Sequence, residues 1–176
     1  MQGFAKTQVF TVTENTGERA VLELRANDET RRYFPYEFTL RVSFSLAGDK
    51  LTVSFTAYNH GEEPMYFCLG MHPGFYLPLV LGEKTEDYVI RFDRRQNISR
   101  LVNEPVTMLL TGERMPYLTD GTDIPLRDDL FNGGSHLLEG VSAESVTLLS
   151  TKSGRFVEMG ISGFPYMCLW GNAIRP

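Results

Sequence analysis

The sequence predicts an all-β fold of antiparallel sheets, a sandwich or a barrel, and three observations lead there. Apolar and polar residues alternate with period two in run after run. Polar turns with glycine or proline separate the runs from end to end. No stretch of ten or more residues carries the 3.6-residue periodicity of an amphipathic helix.

The first strand is expected at residues 8–13, followed by a polar turn at 14–18. Ala20, Leu22, Leu24 and Ala26 then alternate with Val21, Glu23 and Arg25 to give a second strand. After a charged loop at 27–32, Phe34, Pro35 and Tyr36 lead into the strongest signal of the chain. Phe38, Leu40, Val42, Phe44 and Leu46 alternate with polar residues, and so do Leu51, Val53, Phe55 and Ala57. A two-residue turn at Gly48-Asp49, glycine first as a type II′ turn requires, places Leu46 opposite Leu51, Phe44 opposite Val53, Val42 opposite Phe55 and Leu40 opposite Ala57. Ser45, Ser43 and Arg41 then meet Thr52, Ser54 and Thr56, and a slip of one residue would undo both faces at once.

Residues 65–79 follow a turn at 59–64 and are the stretch around which the rest is organised, opening with a strand. Met65, Phe67, Leu69 and Met71 fall on one face, and Tyr66, Cys68, Gly70 and His72 on the other. Pro73 cannot donate to a ladder, so the strand is expected to end there, with the His72 imidazole at the mouth of a sheet among aromatic residues. His72 is the one group of this run that titrates near neutral pH. The alternative is a packed histidine with a satisfied hydrogen bond. His60, in the preceding turn, reads as solvated.

Further strands are expected around Tyr88, Ile90 and Phe92, at 106–110, 146–149, 156–161 and 164–170. Residues 111–127 read as a loop because they contain two glycines, two prolines, Asp120 and Asp123. Residues 128–131 read as a helical turn stopped by Asn132-Gly133-Gly134. The whole chain, 1–176, reads as one domain with no linker.

Composition narrows the function. Net charge is −5, and the most basic stretch, Arg91 to Arg95, is broken by Asp93, which argues against nucleic acid and anionic membranes as partners. The N-terminus lacks the apolar region of a signal peptide, and no apolar run reaches the ~18 residues needed to span a bilayer. A cytoplasmic protein is expected, with Cys68 and Cys168 as buried free thiols. No Cys/His spacing suits zinc, the aspartates at 120, 123, 128 and 129 do not form a calcium loop, and Gly160-Ile161-Ser162-Gly163 is not a nucleophile elbow.

Taken together, Gly3-Phe4-Ala5-Lys6, Tyr36-Glu37-Phe38-Thr39-Leu40, Gly70-Met71-His72-Pro73-Gly74-Phe75 with Pro78-Leu79, and Phe164-Pro165-Tyr166 with Leu169-Trp170 resemble the landmarks of the aldose 1-epimerase (galactose mutarotase) family, in its LacX-like branch. The resemblance implies an incomplete galactose mutarotase-like β-supersandwich. It also implies an isomerase that interconverts the α and β anomers of an aldose, a small-molecule sugar, without metal or cofactor. In that chemistry a base takes the proton of the C1 hydroxyl, an acid protonates the ring oxygen, the ring opens, the C1–C2 bond rotates and the ring recloses. The family's acid maps onto His72. Gln2 stands where the family places a sugar-contacting histidine, and Asp129 is the match for an acidic residue that binds sugar hydroxyls. Family chains carry several strands and a substrate-binding arginine before this point. Their general-base glutamate follows the Leu-x-x-Trp region, beyond Pro176. The expected activity is therefore impaired in this chain alone. The other expectations are a non-catalytic carbohydrate-binding module, with Tyr66, Phe75, Tyr76 or Trp170 stacking on sugar, and a subunit completed by another chain.

Overall fold

The structure, a computed structural model, describes residues 3–104, 106, 107 and 109–171. It is all-β, with antiparallel pairing throughout, and among the described residues its only helices are short 3-10 turns. Its contacts sort into two compact units, residues 1–72 and 73–176.

The first unit holds a four-stranded meander, β1 (Thr11–Asn15), β2 (Arg19–Arg25), β3 (Phe38–Ala47) and β4 (Lys50–Asn59), in that spatial order. The β3–β4 register is the one the alternation requires, from Leu46 opposite Leu51 to Leu40 opposite Ala57. Gly48 has φ +63° while Asp49 is not among the residues with positive φ, which is the type II′ pattern. β2 joins this ladder with Leu22 opposite Val42 and Leu24 opposite Leu40. β1 runs from Thr11 through Asn15, so the strand extends into the expected turn, with a bulge between Val12 and Glu14. Phe34 lies between Phe4, Tyr36 and Phe38, with ring centroids 5.6, 4.7 and 5.3 Å away. The proximal end of the hairpin is buried at Phe38 and Val42, while Leu46 and Leu51 at its tip are exposed.

The second unit is built on one long strand. β5 (Tyr88–Asn103) and β6 (Leu110–Pro125) form a ribbon of two 16-residue strands. On the edge away from β6, β5 pairs with β8 (Ser145–Ser150) over its first five residues and with β7 (His136–Glu139) at Ser99 and Arg100. β9 (Phe156–Gly160) and β10 (Tyr166–Leu169) complete the sheet, in the order β10-β7-β5-β8-β9. The branch falls where β5 bulges, between Arg91 and Gln96. Gln96, 1% exposed, satisfies the break: its Nε2 donates to the Arg94 and Arg95 carbonyls, and its Oε1 accepts from Ser142 N at 2.9 Å and Ser142 Oγ at 3.2 Å. Phe92, Ile98, Ile124, Leu138, Val146, Ile161 and Leu169 form the core of this unit.

Four sequence expectations are corrected. Residues 60–84 join no ladder, so the strand expected at 65–72 is absent; alternation prepares a run for pairing, but a strand also needs a neighbour. Residues 111–127 are mostly strand, because β6 absorbs its breakers at bulges: Gly112 at φ +90° and Asp120 at φ +46° sit in a ribbon with repeated register shifts. Of the short strand expected at 106–110, residues 106 and 107 form a turn and Leu110 opens β6, while Met108 lies outside the described residues. Cys68 and Cys168 are free, as expected, but exposed rather than buried. No helix of the described residues is long and apolar enough to cross a membrane.

Candidate functional site

His72 is exposed at the end of the first unit, and it is not enclosed by aliphatic side chains. In the second unit, Gly74 lies beside the Trp170 indole, where a Cβ would make ordinary contact with Cζ2 at 3.4 Å. Five and six residues further on, the backbone N–H groups of Leu79 and Val80 donate to the Tyr88 hydroxyl, at 2.7 and 3.3 Å.

The Tyr88 hydroxyl is the hub of a buried polar network. Tyr88, at the start of β5, is fully buried, and its hydroxyl donates to Glu83 Oε2. Ser150 Oγ, 1% exposed at the end of β8, donates to Glu83 Oε1 at 2.9 Å and accepts from the Lys152 and Ser153 N–H groups. The Tyr88 hydrogen bond holds the Glu83 carboxyl below its ordinary range against the opposing effect of burial. Burial, reinforced by the negative Glu83, pushes the Tyr88 phenol up. The network pins residues 79–83 to two strands of the sheet. Nothing in the sequence marked it, since Glu83, Tyr88 and Ser150 are brought together by folding.

Asp129 sits in a run of successive turns at 128–133, where its Oδ1 pairs with Arg127 Nε at 2.9 Å and both side chains are mostly exposed. It is paired to its own loop, and it belongs to the unit that does not contain His72. Gln2 lies outside the described residues. Of the aromatic residues expected to stack on a sugar, Tyr66 (77% exposed) belongs to the first unit, and Phe75, Tyr76 and Trp170, also exposed, to the second.

Two histidine environments were not legible in sequence. His60 is exposed but engaged: its Nε2 is 2.9 Å from Thr39 Oγ1, and its ring lies parallel to Tyr58. Tyr58 in turn accepts from Arg41 Nη1, and Arg41 binds the buried Glu23 at 2.7 Å. Residues 23, 39, 41 and 58 share one face of the meander, the polar face of the predicted hairpin extended onto β2. The Arg41 hydrogen bond holds the Glu23 carboxyl below its ordinary range, against the opposing effect of its burial. His136 is 5% exposed, between Phe131 and Tyr117, with Nδ1 2.8 Å from the Tyr117 hydroxyl. Burial, and secondarily the positive Arg100, pushes its pKa below the ordinary 6.5. An imidazole buried between two aromatic rings reads as a core histidine.

On the second unit, Leu101, Leu110 and Leu137 floor a shallow cleft rimmed by Arg114, Glu139 and Tyr166. Arg114 and Tyr166 both hydrogen-bond Glu139 there. Among the described residues no group of three or more His, Cys, Asp or Glu side chains is placed to hold a metal ion.

Comparison with known proteins covers nearly the whole chain. Residues 1–158 match the family described as aldose 1-epimerase. The chain is 32% identical over 173 residues to the chromosomal protein LacX of Lactococcus lactis, and 33% identical over 172 residues to the plasmid form. Each match takes in 97% of this chain and 58% of the relative, so the chain spans little more than half the length of these proteins. Among solved structures it is similar to a galactose mutarotase related enzyme from Lactobacillus acidophilus, with a TM-score of 0.86 at 29% identity over 98% of this chain and 57% of the other. A galactose mutarotase-like protein from Lactobacillus casei gives a TM-score of 0.78 at 29% identity over 96% and 57%.

Proposed function

Because this chain belongs to the aldose 1-epimerase family, we propose that it carries the acid half of a site that interconverts the α and β anomers of an aldose, with His72 as the general acid. One observation carries the reading: an exposed imidazole stands within Gly70-Met71-His72-Pro73-Gly74-Phe75, inside the region matched to the family. Ring opening needs a proton delivered to the ring oxygen while another group takes the C1 hydroxyl proton. An imidazole can donate a proton as a general acid, which is the first task. Within the second unit, Gly74 lies beside Trp170 and Leu79 donates its N–H to the Tyr88 hydroxyl.

The ligand is a free sugar, and both steps are proton transfers. In this reading Gln2 and Asp129 are the sugar-contacting candidates, and Asp129 would have to leave Arg127 to serve. In this reading the base comes from polypeptide outside these 176 residues.

Polarimetry of α-glucose and α-galactose tests the proposal. The 176-residue chain alone is expected to leave the spontaneous rate of mutarotation essentially unchanged. A chimaera in which it replaces the matching 58% of Lactococcus lactis LacX is expected to accelerate it. His72→Ala in the chimaera should then lower the rate by roughly 10²–10⁴-fold. Acceleration that survives His72→Ala would overturn the assignment, and brisk catalysis by the bare chain would show that one of its own carboxylates serves as base.

A further inference from the structure

Residues 65–71 present a contradiction between sequence and surroundings. Their alternation is that of a strand, and they contain no charged residue; Pro64 and Pro73 bracket them. Yet among the described residues they enter no ladder, and none of their backbone N–H groups donates to a partner. Their apolar side chains stand in water on both faces: Phe67 is 54% exposed, Leu69 40% and Met71 48% on one, Tyr66 77% on the other. A strand meant to face water at a sheet edge is normally guarded by lysine, an inward charge or a bulge. This run has none of these guards, and both of its faces are largely apolar, as in a strand with neighbours on each side and layers above and below.

We propose that residues 65–71 form a strand whose ladder partners come from the part of the family fold that lies outside these 176 residues. The occupant follows from the comparisons. The LacX relatives match 97% of this chain and still have roughly two fifths of their length left over, so they hold further polypeptide that this chain does not contain. Strand addition uses the free N–H and C=O groups of residues 65–71 for affinity and the exposed Phe67, Leu69 and Met71 for register. The pairing is independent of catalysis and holds whether or not the completed protein turns over a sugar.

Amide hydrogen exchange tests it residue by residue. In the chain alone, the amides of residues 65–71 are expected to exchange near the rate of an unstructured peptide, at any protein concentration. In the LacX chimaera described above they should slow by at least about 100-fold, while the β3–β4 amides are protected in both proteins. Leu69→Lys should weaken the acquired protection. A chimaera that unfolds cooperatively yet leaves residues 65–71 unprotected would overturn the proposal. So would protection already present in the chain alone: if it grows with concentration, a second copy is the partner, and if it does not, the run pairs within its own chain. None of these readouts depends on mutarotation, so failure of this inference and failure of the catalytic reading are separable.

Discussion

Replacing Leu138 by alanine tests where the stability of the second unit resides. Leu138 is completely buried in the middle of β7, inside the cluster with Ile98, Val141 and Leu169. The substitution removes three carbons, and at about 0.8 kcal/mol per buried methylene the transfer loss alone is about 2.4 kcal/mol. The cavity left among β-strand neighbours that cannot collapse adds to this, for a total of about 3–4 kcal/mol. Leu51 offers the contrast. It is the same residue type, at the hairpin tip and 56% exposed, so Leu51→Ala should cost less than about 1 kcal/mol. Urea unfolding measures both. Trp170 is the only tryptophan of the chain and lies in the second unit, so its fluorescence follows Leu138→Ala, while circular dichroism follows Leu51→Ala in the first. Equal losses at the two positions would refute the burial pattern described here. A loss below about 1 kcal/mol at Leu138 would refute the placement of the core.

Three further outcomes follow from particular residues. Gly48→Ala forces an L side chain into φ +63° and should cost about 1–2 kcal/mol in urea unfolding, with the β3–β4 register preserved by NMR. The Glu83 carboxyl titrates below its ordinary 4.5 in the folded chain, so its stabilising contribution is complete above that value and is lost as pH falls through the folded one. Glu83→Gln should therefore flatten the loss of Tm below pH 4.5, and identical Tm–pH curves for the two proteins would exclude the Tyr88–Glu83–Ser150 network as a source of acid sensitivity. His136 is also depressed, below 6.5, so folding is favoured most above that pH and weakens as pH falls and the unfolded chain takes up a proton the folded one refuses. His136→Gln should remove that part of the Tm decline between pH 7 and 5, and an unchanged decline would show that His136 is protonated in place.

What could be read from the sequence was what depends on local pattern. The β3–β4 hairpin was legible down to each cross-strand pair because its turn and both faces specify one register. The buried networks were not, because Glu83 and Ser150, or Gln96 and Ser142, are far apart in sequence and meet only in the folded sheet. His136 shows the same limit. A histidine flanked by a glycine-serine turn gives no hint that a tyrosine 19 residues earlier will meet its Nδ1.

Strand formation is a property of pairs, and two stretches show it from opposite sides. Residues 111–125 carry glycines, two prolines and aspartates that speak against a strand, yet β5 pairs with β6 at both of its ends and bulges take up the misfits between. Residues 65–71 carry almost nothing that speaks against a strand, yet they remain outside every ladder. Propensity differs between residues by only ~1 kcal/mol, and much of that reflects packing against cross-strand neighbours and burial, so the presence of a partner decides both cases. The candidate acid lies at the end of the second stretch. If that strand forms only when further polypeptide is present, then the ordering of the backbone up to Met71 and the completion of the sheet are one event.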